Sequence, residues 1–133
     1  MCTNPSNMSN VNTPGVHAEH GEWLKALDFY KEEIHNLERR LADVANRNTA
    51  FEARQGIEHF QNQFVIQRNN IDELRHRVHE HEDQMARHSA QHQWNPEEPR
   101  DGSHGQIRTD FEALEKVIRE LRAEFNLFLV KWI

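Results

Sequence analysis

Residues 49–93 read TAFEARQGIEHFQNQFVIQRNNIDELRHRVHEHEDQMARHSAQHQ, a run with no proline. A seam recurs through it at alternating spacings of three and four: Ala50, Ala53, Ile57, Phe60, Phe64, Gln67, Ile71, Leu74, Val78, His81, Met85, His88, His92. Two turns of helix take about seven residues, so this spacing holds the side chains on one stripe of a single long helix. Its start is marked by Thr49-Ala50-Phe51-Glu52, where the threonine hydroxyl and the glutamate can each take an orphan amide. Its end is marked by Trp94-Asn95-Pro96, because proline drives the residue before it out of helical geometry. Gly56 inside the helix costs about 1 kcal/mol relative to alanine and so implies a close-packed neighbour. Up to Val78 the stripe is almost wholly apolar; beyond it, the stripe is mostly histidine.

The flanking segments are patterned to lie against this helix. A first helix over about 19–46 opens somewhere between His17 and Glu22, with the seam His20, Trp23, Leu27, Tyr30, Ile34, Leu37, Leu41, Val44, widened by Leu24 and Phe29. Projected forward, that seam would land on Asn48, Phe51, Gln55 and Glu58, whereas the second begins at Ala50, Ala53 and Ile57. The phase break at Asn46-Arg47-Asn48-Thr49 predicts a tight turn between antiparallel helices rather than one continuous helix. The register then sets Leu41 against Ile57, Leu37 against Phe60, Ile34 against Phe64, Leu27 against Ile71 and Trp23 against Leu74, with Tyr30 beside Gln67 as a polar layer. His20 falls near Val78 and His17 near His81, and residues 80–93 overhang this partner.

A loop is expected over 94–108, which holds Pro96, Pro99, Gly102 and Gly105. A third helix over about 109–133 opens on Thr109-Asp110-Phe111-Glu112, a second capping pattern, with the seam Ile107, Phe111, Leu114, Ile118, Leu121, Phe125, Phe128, Trp132. The alternative is a break of the central helix near Arg87–Ala90, with its end folded over. Residues 1–16, rich in Asn, Ser and Thr, read as a disordered tail ahead of a single domain over 17–133. The fold class is therefore all-α: an antiparallel three-helix bundle with coiled-coil-like heptad seams and a long central helix.

Composition narrows the function. Sixteen basic and 22 acidic residues, interspersed, give a net charge of -6, which argues against a nucleic-acid surface. Cys2 is the sole cysteine and supports no intrachain disulfide or redox pair. No apolar run approaches the ~20 residues of a membrane span, and a cytoplasmic protein is expected. Catalysis has little to stand on, with no serine in a glycine-rich elbow, no phosphate-cradling loop and no carboxylate pair in a seam. Glu32/His35 and Glu73/His76 have the Glu-x-x-His spacing of di-iron bundles, but the seams put both pairs on outward positions.

Two features remain. Ten histidines are several times ordinary usage, and His88 and His92 sit four apart on the stripe that also carries His81, with His20 near the same end. These four are the candidate ligands for a divalent metal, the only cofactor the sequence suggests; protonation of the same cluster would make association pH-responsive. The last turns, Phe125–Ile133, are apolar nearly all round, and exposed patches of that kind mark contacts. Leu127, Phe128, Val130, Trp132 and Ile133, together with Met85 on the overhang, are the candidate interaction residues. A ligand pocket lined by Phe60, Phe64, Phe125 and Phe128 is a weaker alternative to plain core packing. The sequence thus points to a non-catalytic scaffold that associates with itself or another helical protein, with a histidine-mediated metal-binding or pH-responsive bundle as the rival.

Overall fold

The computed structural model describes the backbone of residues 5–88 and 103–133, and the side chains of residues 15–87 and 103–133. Three helices account for these residues: α1 (Pro5–Arg47), α2 (Phe51–His88) and α3 (His104–Trp132). They pack against one another as an all-α antiparallel three-helix bundle, and no strand occurs among the described residues. None of the helices is long and apolar enough to cross a membrane.

The chain divides into two compact units, Met1–Leu27 with Glu73–Glu112 and Asp28–Asp72 with Ala113–Ile133. In the first, His20 of α1 meets His81 of α2, Glu19 meets His104 and Arg108 of α3, and Arg77 of α2 meets Asp110 of α3 at 2.8 Å. In the second, Lys31 bonds Asp72 at 2.8 Å and Arg68 bonds Glu38, so α1 and α2 run antiparallel. Tyr30 bonds Glu115 at 2.6 Å and Arg122 grips both oxygens of Glu33 at 2.6 and 2.8 Å, so α3 runs parallel to α1.

The seams are the core. Trp23, Leu27, Ile34, Leu37, Leu41 and Val44 of α1, seven apolar residues of α2 from Ala53 to Val78 and the α3 run from Ile107 to Phe125 are buried. Burial of each large apolar side chain contributes about 1.5–3 kcal/mol, and this outweighs the modest intrinsic helicity of such segments. Phe60, Phe64, Phe125 and Phe128 pack ring on ring, with centroids 5.1–6.1 Å apart, as core. Gly56 meets the neighbour its sequence position implies, since a Cβ there would fall on the edge of the Phe128 ring.

Several boundaries differ from the sequence expectation. α1 begins at Pro5, so residues 5–16 continue the helix instead of forming a tail. Proline is favoured in the first turn, where its missing N–H breaks no bond, and Val16 extends the buried seam one turn before His20. Residues 1–4 lie outside the described residues. α2 is capped at Ala50, whose carbonyl accepts from Arg54 N at 3.0 Å, one residue beyond Thr49. α3 starts at His104 and not at Thr109, because Ser103 is the cap: its hydroxyl accepts from Gln106 N at 3.2 Å. Thr109 then sits inside the helix and donates to the carbonyl of Gly105 at 3.1 Å. The expected end of α2 at Gln93, the alternative break and most of the 94–108 loop fall outside the described residues.

One expected pairing and one expected seam position also change. Tyr30 turns to α3 and donates to Glu115 at 2.6 Å, and the buried Gln67 amide takes a local bond from Asn70 at 3.3 Å. Phe29 stays on the surface and does not widen the seam.

Candidate metal centre

The histidine stretch of the α2 seam acquires partners from both other helices in the first unit. His20 from α1, His81 from α2 and His104 from α3 come together, each about 1% exposed. Their ring centroids are 4.9, 5.3 and 5.5 Å apart. Each ring offers one nitrogen to a set whose members all lie within 4.8 Å of one another. Trp23 closes one side, 4.7 Å from the His104 ring and 6.0 Å from Phe111.

The outer nitrogens are held by carboxylates. His20 Nδ1 donates to Glu82 Oε1 at 2.5 Å, while the exposed His17 bonds Glu82 Oε2 at 2.5 Å. His104 Nε2 donates to Glu19 Oε1 at 2.5 Å, and Arg108 takes both oxygens of the same carboxylate at 2.8 and 3.1 Å. Burial lowers the His20 pKa, against the opposing pull of Glu82, so the ring is neutral at pH 7 with its proton on Nδ1. His20 Nε2 therefore presents a lone pair, which accepts from His81 Nδ1 at 2.8 Å. His104 Nδ1 is buried and has no hydrogen-bond partner among the described residues.

The charges around the rings are fixed ones. The Arg108 hydrogen bonds, with help from His104 and in spite of burial, pull Glu19 down to about 2. For Glu82, burial works to raise the pKa, but the bonds from His20 and His17 together outweigh it and the net shift is downward. Both carboxylates are ionised at neutral pH.

No known family, curated protein or solved structure matches the chain. Chemistry must be read from the side chains themselves. Three imidazoles are a donor set for a divalent transition ion, with metal–nitrogen distances of about 2.0–2.1 Å and nitrogens roughly 3.4 Å apart in a tetrahedron. The donor atoms of the three rings lie within 4.8 Å of one another, so small ring rotations would have to bring them to that spacing.

Of the ligand residues expected from sequence, His81 and His20 lie in this cluster. The His88 side chain and His92 lie outside the described residues. His104 was missed because residues 94–108 read as loop; stepping the α3 seam back from Ile107 by three lands on it. Of the expected contact residues, Leu127, Val130 and Ile133 are 74%, 80% and 78% exposed. Phe128 is half-buried against Gly56 and Phe60. Trp132, also half-buried, lines a 230 Å³ groove with Arg40, Arg47, Leu129 and Ile133. Met85 is corrected: it is 6% exposed and belongs to the core, one step along the α2 seam from the buried His81. Glu32, His35, Glu73 and His76 are exposed, on the outward positions expected of them.

Proposed function

We propose that this protein is a non-catalytic, metal-binding helical bundle that takes one divalent transition ion at His20, His81 and His104. The observation that carries the reading is a trio of imidazoles, one from each helix, brought together at about 1% exposure. Buried polar groups cost stability unless they are satisfied; His104 Nδ1 has no hydrogen-bond partner among the described residues, and a bound ion would satisfy it. One ion ligated by three helices would tie them at a single level, and its binding energy would add to folding energy. The test is metal content and calorimetric titration of purified protein with Zn²⁺. One ion per chain is expected, with the affinity lost in His104→Ala. A chain that takes up no zinc at micromolar free metal would defeat the reading.

A second reading, self-association or docking of another helical protein, is favoured by the exposure of Leu127, Val130 and Ile133 near the end of α3. Leu127 and Val130 stand three apart on the outward side of α3, and Ile133 follows just past its end. The two readings are compatible, since the stripe belongs to the second unit and the histidines to the first.

A further inference from the structure

Resting on the metal-binding reading, we infer that Glu82 and Glu19 are positioning residues that select the ligand atoms for a zinc-type ion: Nε2 of His20 and Nδ1 of His104, completed by His81. An imidazole can bind metal through either nitrogen, and the hydrogen bond made by the other nitrogen decides which. At His20 the outer position is Nδ1, committed to Glu82 at 2.5 Å, which leaves Nε2 facing the cluster, where it accepts from His81 Nδ1 at 2.8 Å; an ion would take this lone pair in place of that bond. At His104 the outer position is Nε2, committed to Glu19 at 2.5 Å, which leaves Nδ1 buried and without another partner among the described residues. The two rings thus use opposite nitrogens for the same task.

Each carboxylate is itself anchored from outside, Glu82 by His17 and Glu19 by the two-pronged Arg108 contact. Such anchoring fixes the ring planes before an ion arrives. A carboxylate on the far N–H also makes the near nitrogen a stronger donor. Imidazole donors suit zinc, cobalt or nickel, whereas magnesium and calcium take oxygen ligands and would be excluded. Three protein ligands leave a fourth position for water or a small anion.

The experiment uses the full chain with Zn²⁺ and with Co²⁺ as a spectroscopic stand-in, comparing wild type with Glu82→Gln and Glu19→Gln. Both substitutions lie outside the ligand set. Each is expected to weaken Zn²⁺ binding 10–100-fold while the tetrahedral Co²⁺ absorption bands keep their shape. Unchanged affinity in both variants, with the wild type binding normally, overturns the inference and leaves the metal-binding reading intact. No uptake by wild type overturns both. Nitrogen-15 NMR of zinc-loaded wild type is independent of whether the variants fold: metal on His20 Nε2 and His104 Nδ1 supports the assignment, and metal on the opposite nitrogens overturns it.

Discussion

His81 donates from Nδ1 to Nε2 of His20 at 2.8 Å, a bond between two imidazoles buried in a helical core. A core built only for stability would hold apolar side chains there, because removing both partners of a buried polar contact is neutral or stabilising. Replacing His20, His81 and His104 together with leucine should therefore raise metal-free stability, by about 1–2 kcal/mol or roughly 5 °C in Tm. Glu82 and Glu19 keep His17 and Arg108 as partners in that variant. Calorimetric melting in chelator checks this, and the same variant should lose any Tm gain on adding zinc. A lower metal-free Tm would mean that the histidine bonds themselves hold the first unit together.

Gly56 is where α2 lets the Phe128 ring approach its backbone. Alanine would gain about 1 kcal/mol in helix propensity on an isolated helix. Here its Cβ would displace a ring that also packs on Phe60 and Phe125, a strain of about 1–3 kcal/mol. Gly56→Ala should be net destabilising in urea unfolding, and the sign should reverse in a Phe128→Ala background, where the space is vacated. The same sign in both backgrounds would rule out the steric account.

The bundle was legible because its seams obey one period throughout, and burial follows that period from Val16 to Val44 and from Ala53 to Met85. What failed to read were residues whose type contradicts their place. Gly105 and the prolines before it marked residues 94–108 as loop, which concealed that Ser103 caps a helix and that His104 occupies a core position. Met85 reads as exposed when α1 is expected to begin after the Asn/Ser/Thr-rich run, a composition that predicts disorder but does not forbid a helix. Two of the three clustered histidines are legible in the α1–α2 register, which brings His20 and His81 to one end of the bundle. Glu19 and Glu82 carry no periodic signal, and only packing shows which nitrogen each one takes.

Tyr30 is the sole tyrosine, so its ionisation can be followed without ambiguity. Burial, followed by the hydrogen bond to Glu115 and that group's charge, pushes its phenol up to about 12. An unfolded tyrosine titrates near ~10. The folded pKa lies above the unfolded one, so the stability this contact contributes is fully present below about pH 10 and is lost as pH rises through about 12. Phenolate absorbance should show a native midpoint near 12, and Glu115→Gln should move it down toward the unfolded value. Circular dichroism over the same range must show the helices intact, and a native midpoint close to ~10 would contradict the buried hydrogen bond.

Leu127 and Val130 stand three residues apart on α3, at 74% and 80% exposure, on the opposite side from the buried Phe125 and Leu129. Transfer of two such side chains out of water is worth about 3–6 kcal/mol if a partner covers them fully. The chain should therefore associate with rising concentration in sedimentation velocity. Leu127→Glu with Val130→Glu should leave a monomer, because opposed carboxylates across a self-association contact repel as well as removing apolar area. Since neither side chain is buried within the chain, helix content should be unchanged and the monomer's stability should shift by no more than about 0.5 kcal/mol. If the unaltered chain sediments as a monomer from micromolar to several hundred micromolar, the stripe does not drive self-association. If the variant instead loses helix content, the two residues contribute to the fold and their exposure has another cause.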